Sequence, residues 1–128
     1  MRITEYFCQL ENMIDRFPII QSRSITCDER SEFIGFIQGI LYFSDGSVLH
    51  IKEFVNVERE FDRHKYGYHF IRGKEIIFRY DNANDPKARG LSTYPHHKHH
   101  GSIILESQGP TLEEVLLEIA DIIREIGL

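Results

Sequence analysis

Apolar residues at Ile3, Tyr6, Phe7, Leu10, Met13, Ile14 and Phe17 recur at spacings of three and four, which predicts an amphipathic helix near the start of the chain. Pro18, which has no N–H and clashes with the preceding turn, stops it. Ile19 to Thr26 then reads as a first strand, with Cys27 to Ser31 as a polar connection. Phe33 to Phe43 is apolar on both faces, as a strand in the middle of a sheet is, and Gly35 and Gly39 within it allow a bend or close packing. Ser44-Asp45-Gly46-Ser47 reads as a hairpin turn, since Asp-Gly accepts the positive φ that a tight primed turn needs. Val48 to Val57 is the next strand, and His64 to Arg72 with Lys74 to Asn82 form a second hairpin about Gly73. Ala83 to His100 carries Pro86, Gly90 and Pro95 and reads as a long loop, and Ser102 to Glu106 as a short strand.

The last helical stripe is Leu112, Val115, Leu116, Ile119, Ile122, Ile123 and Ile126. Thr111 and Glu114 form a Thr-x-x-Glu capping box at its start, and Gly127 is placed to end it. A helix at each end of an antiparallel meander predicts an α+β fold, with about five strands and both helices packed on one sheet face. At 128 residues, 41% of them hydrophobic, the chain is expected to form one domain spanning 1–128 with a real core, which excludes wholesale disorder. The longest uncharged run, Phe33 to Ser44, falls well short of the roughly 20 residues that cross a bilayer. Met1-Arg2-Ile3-Thr4-Glu5 meets an acid at once, so a cytoplasmic protein without a secretion leader is expected. Cys8 and Cys27 make neither a disulfide framework nor a zinc spacing.

Strand alternation assigns faces. In Val48 to Val57, Glu53 shares the apolar face with Leu49, Ile51, Val55 and Val57. A carboxylate there is costly unless paired, so Glu53 is satisfied by an arginine or backbone donor, lies at the sheet rim, or is a general base tuned by burial. A two-residue turn about Gly73 puts Tyr66, Tyr68 and Phe70 on one face with Ile77, Arg79 and Asp81. It leaves His69 on the other face with Ile71, Ile76, Phe78 and Tyr80. Arg79 and Asp81 then stand side by side, as a strut or as an anion clamp oriented by its carboxylate.

Charge singles out the same region. Arg63 to His100 holds eight Lys or Arg against three acids, and the rest of the chain seven against seventeen, which hides a basic surface within a net charge of −5. Six of the seven histidines are here too: His64, His69, His96, His97, His99 and His100. Tyr66, Tyr68, Phe70, Phe78, Tyr80 and Tyr94 interleave with the cations, as surfaces that stack bases require. His50 and His64 stand alone and read as structural.

Phe78-Arg79-Tyr80-Asp81-Asn82-Ala83 followed by Thr93-Tyr94-Pro95-His96-His97-Lys98-His99-His100 resembles the TumE family of toxins from type II toxin–antitoxin modules. The likeness runs from about Phe33 to Ile126 and includes the Asp-Gly hairpin, Glu53-Phe54, the Tyr-x-Tyr-His run at Tyr66 to His69 and the last helix. Tyr94 stands where Phe is common, and Asn84-Asp85-Pro86-Lys87 replaces a stretch richer in His and Pro. The resemblance implies a toxin with a cognate antitoxin as its protein partner.

The residues themselves suggest a chemistry. Histidine, with an ordinary pKa of about 6.5, both takes and gives protons near neutrality. RNA cleavage by attack of the 2′-hydroxyl needs one base, one acid and a cation on the phosphate. His96, His97 and His99 offer the acid and base, and Lys98 or Arg79 the cation. Tyr68 and Tyr80 stand as substrate contacts, and Asp81 and Asn82 orient the loop. In an extended segment His97 and His99 point one way and His96 and Lys98 the other, so the active pair is His97 with His99 or one of them with His69. A ribonuclease of this kind needs no cofactor. Competing readings use the same residues: a divalent metal held by the histidines, a nucleic-acid or ribosome-binding module that does not cleave, or an inert surface loop. The apolar helices leave a homodimer or antitoxin contact open.

Overall fold

The computed structural model describes residues 1–126 and shows one antiparallel sheet of seven strands in strict chain order. Helix α1 (Ile3–Asp15) precedes β1 (Ile20–Glu29), β2 (Ile34–Phe43), β3 (Val48–Asn56), β4 (Asp62–Arg72), β5 (Glu75–Asp81), β6 (His97–His100) and β7 (Ile103–Glu106), and α2 (Leu112–Ile126) closes the chain. The α+β meander is as expected, with seven strands where about five were read. The difference lies mostly in the presumed loop, whose last four residues, His97–His100, form β6. Repeated histidine carries no β-pattern of its own, so only pairing with β5 and β7 makes that stretch a strand.

Both helices cover one sheet face. Ile3, Leu10, Met13 and Ile14 of α1 and Leu112, Val115, Leu116 and Ile119 of α2 are buried against Ile37, Leu41, Leu49, Ile51, Val55, Tyr68, Phe70 and Phe78. Each such side chain contributes about 1.5–3 kcal/mol on burial. Gly35 in β2 lets α1 sit close: a Cβ there would lie 2.5 Å from Ile3. The capping box at α2 forms in both directions, Glu114 N–H donating to Thr111 Oγ1 (3.2 Å) and Thr111 N–H to Glu114 Oε1 (3.0 Å). The expected stop at Gly127 lies outside the described residues.

One turn and one strand depart from expectation. At the β2–β3 hairpin only Gly46 takes a positive φ (87°) and Asp45 does not, so this is a three-residue loop ending in a left-handed glycine rather than a primed turn. The β4–β5 hairpin turns at Gly73 as read, but β5 carries a bulge: Ile71 pairs with Ile76 and Phe70 with Phe78, leaving Ile77 as the extra residue. The bulge inverts the predicted face assignment beyond it. Phe78 and Tyr80 join Tyr66, Tyr68 and Phe70 under the helices, while His69 shares the opposite face with Arg79 and Asp81. The reason is burial: an unbulged register would bring Arg79 and Asp81 under the helices and expose Phe78. Among the described residues no helix is long and apolar enough to cross a membrane.

Candidate functional site

The face without helices is where the register gathers polar side chains. Ser24, Ile40, His50, His69, Arg79, His99 and Ile104 are successive cross-strand partners from β1 to β7. The next row is Thr26, Gln38, Lys52, Gly67, Asp81, His97 and Glu106. Strands spaced by about 4.8 Å thus set three imidazoles and a guanidinium side by side. His50, isolated in the sequence, belongs to this row and is exposed. Nothing in the local sequence signals it, since the nearest histidine in the row lies across a strand boundary.

At the β5–β6 end the two rows interlock. Arg79 Nε lies 2.9 Å from Asp81 Oδ2, and Arg79 Nη2 donates to His99 Nε2 at 2.7 Å. Asp81 accepts the Ala83 N–H at 3.0 Å, and its Oδ1 faces His97 Nε2 at 3.0 Å. His97 is wholly buried. Its Nδ1 lies 2.8 Å from the Pro95 carbonyl, which can only accept, so that nitrogen carries the hydrogen. The rings of His97 and His99 meet edge to face at 4.8 Å. His99 Nε2 is 3.8 Å from Asp85 Oδ2, and the His99 side chain keeps 19% of its surface exposed. Asn82 ties the end of β5 down, accepting from Tyr66 N–H and donating to the His64 carbonyl.

A cavity of about 750 Å³ opens beside these groups, with His69, Arg79, Asp81, Asn82 and Asp85 in its wall. Burial holds His69 below the ordinary histidine value, and the Arg79 charge adds to the effect. His99 is depressed for the same two reasons in the same order. The backbone N–H of Lys87 keeps Asp85 low and ionised.

Several predicted site residues lie elsewhere. Glu53 does fall on the apolar face, but neither an arginine nor the backbone satisfies it: the Tyr6 and Tyr68 hydroxyls both donate to its carboxylate. It is buried under the helices, across the sheet from the imidazoles, and meets no cavity of the site. Burial beside Glu53 raises the pKa of both tyrosines well above the usual value, so they remain donors. Tyr68, fully buried, also accepts from Arg63 at 2.9 Å, and Tyr80 donates to Glu118 at 2.7 Å. Neither faces the cavity. Lys98 projects to the same side and pairs with Glu118 at 2.8 Å. Burial opposes its charge, but the contacts with Glu118 and Tyr80 prevail and hold its pKa above the ordinary value. His96 packs on Tyr66 and meets its hydroxyl at 2.8 Å, while burial and then Arg63 keep it below the usual histidine value. The aromatics interleaved with the cations are therefore mostly core. Of the gathered set, Arg79, Asp81, His97, His99 and His69 come together, with Asn82 beside them.

One donor set has metal-like geometry. Asp81, His97 and His99 offer ligand atoms within 4.8 Å of one another. Two histidines and a carboxylate with the second ring nitrogen of His97 tied to a carbonyl is the pattern of a ligand set with its orienting partner. Against this, the Arg79 guanidinium already contacts two of the three.

These features define a small α+β protein, a helix-backed antiparallel meander whose open face carries a polar cavity walled by Lys52, Lys65, His69, Arg79, Asp81 and Asp85. The family model for the toxin TumE matches residues 10–127, and the chain belongs to that family. It is therefore the toxin component of a toxin–antitoxin module, with a cognate antitoxin as partner. No curated protein and no solved structure matches the chain.

Proposed function

We propose that this toxin cleaves RNA without a metal, with His69 and His99 as the acid–base pair and Arg79 between them as the cation that meets the phosphate. The observation that supports this reading is the cross-strand row His69–Arg79–His99, which sets two accessible imidazoles on either side of a guanidinium. In-line attack by a 2′-hydroxyl places the entering and leaving oxygens on opposite sides of phosphorus, so a base and an acid flanking the cation suit the reaction. Each positioned acid or base contributes about 10²–10⁴ in rate. His97, having no exposed surface, is a positioning residue by packing: its ring meets His99 edge to face and fills the space behind the Asp81 carboxylate that orients Arg79. Lys98, Tyr68, Tyr80, His96 and Glu53 have structural parts in this scheme.

The test is to express the chain without its antitoxin and follow growth and RNA integrity. A His69→Ala, His99→Ala double variant is expected to lose both toxicity and cleavage. Full activity in that variant refutes the assignment.

A second reading is favoured by one specific observation. His97 Nε2 and Arg79 Nε are buried without a well-aligned hydrogen-bond partner, although each sits near Asp81. A divalent metal between Asp81, His97 and His99, with Arg79 swung aside, would satisfy that nitrogen. Cleavage that survives chelation, with no metal in the purified protein, supports the first reading. Loss on chelation and recovery with added metal supports the second.

A further inference from the structure

The cavity beside Arg79 continues into a second trough of about 850 Å³, and the two share Lys52, Gly67 and His69. The continuous groove crosses the open sheet face from β1 to the end of β5. Gly67 keeps its floor low: a Cβ there would meet His69 Nε2 at 3.8 Å and Asp81 at 3.9 Å. A third cross-strand row borders it, in which Phe36 of β2 and Phe54 of β3 are direct partners and Lys65 follows on β4. Both rings lie on the face opposite the helices and are only half-buried. They are thus unlike Tyr66, Tyr68, Phe70 and Phe78, which the core consumes.

We propose that this face is a platform for single-stranded RNA, with bases stacked on Phe36 and Phe54 and the backbone led past Lys52 to the His69–Arg79–His99 row. The proposal rests on the ribonuclease reading and extends it to the form of the substrate. Charge complementarity favours a nucleic acid. Lys52 and Lys65 make no ion pair among the described residues, whereas along the groove Asp28 is paired with Arg30 at 2.7 Å and Asp81 with Arg79, and Asp85 stands at the far end of the cavity, 3.8 Å from His99. Arg30 lies over the Phe36 ring, 5.6 Å from its centre, so a base meets that face by stacking on the guanidinium plane or by displacing it. Rings lying on a sheet can stack only with unpaired bases; a duplex would present its backbone and leave them unused. From β2 to β5, which carries Arg79, the distance is three strand spacings, about 14 Å, so about two nucleotides lie on the face before the scissile phosphate reaches Arg79.

The experiment measures fluorescence anisotropy of a labelled 2′-O-methyl single strand, which cannot undergo 2′-hydroxyl attack, and of the same sequence as a duplex. A Phe36→Leu, Phe54→Leu variant keeps apolar volume and loses both stacking planes. It is expected to bind the single strand roughly tenfold or more weakly and the duplex unchanged. Lys52→Ala, exposed and harmless to folding, is expected to flatten the dependence of log affinity on log salt by about 0.7. Equal single-strand affinity in both variants, or loss of antitoxin binding with RNA affinity intact, overturns the platform. If wild-type protein binds in this ring-dependent way yet never cuts unmodified RNA, the ribonuclease reading fails and the platform stands. If it cuts and the double leucine variant keeps its KM, the platform fails alone.

Discussion

Replacing Asp81 by Asn tests the electrostatic centre of the site with almost no change of shape. The variant keeps an acceptor for the Ala83 N–H but removes the charge that faces Arg79 Nε at 2.9 Å. Exposed ion pairs contribute about 0–1 kcal/mol, and breaking a buried one costs about 3–5. With side-chain exposures of 33% for Arg79 and 11% for Asp81, this pair lies between those limits, at about 2 kcal/mol. With the amide oxygen kept at the Oδ1 position by the Ala83 N–H, the new NH2 cannot also reach His97 Nε2, which lies 3.0 Å from that same atom, so no new hydrogen bond offsets the loss. A loss of about 2 kcal/mol lowers the melting temperature of a domain this size by roughly 8 °C. Cleavage should fall further than stability, because an Arg79 no longer held in place forfeits charge stabilisation of the order of 10²–10³ in kcat. Calorimetry and single-turnover cleavage of a short RNA read the two effects separately. A variant with wild-type melting and wild-type turnover would show that Asp81 orients nothing, and the role given to His97 would go with it.

Lys98→Met is expected to cost at most about 1 kcal/mol, since it removes a partly exposed pair with Glu118, and to leave turnover intact; a loss of kcat beyond tenfold in a folded variant would return Lys98 to the site. Tyr68→Phe strips one donor from the Glu53 carboxylate and one acceptor from Arg63, so chemical denaturation should show a loss of about 1–3 kcal/mol with cleavage unchanged per folded molecule. His69 and His99 both titrate below the ordinary histidine value, chiefly through burial. The rate is therefore expected to peak on the acid side of pH 6.5 and to fall as pH rises and the acid partner loses its proton; a profile rising through pH 8 refutes the assignment. For stability the sign is opposite. The unfolded chain takes up protons below about pH 6.5 before the folded one does, so these histidines make the fold less stable as pH drops through that value and are neutral above it.

What the sequence determined alone is the set of elements whose pattern is local. Period-three-and-four stripes bounded by Pro18 and by the Thr111–Glu114 box specify the helices, and alternation specifies the long strands and puts Glu53 on the buried face. The paired motifs about Arg79 and His97 carried the family. Tertiary structure decided the rest, because cross-strand register is a relation between residues far apart in the chain. One bulged residue, Ile77, exchanged the faces of β5, sending Tyr80 into the core and aligning Arg79 with His69. Pairing of the histidine stretch with β5 and β7 then split it, turning His97 and His99 toward Arg79 and Lys98 toward Glu118. His50 entered the row by the same route. Local pattern says which way a side chain alternates; only the packed sheet, choosing the register that buries aromatic rings and leaves the charges in water, says which neighbours it meets.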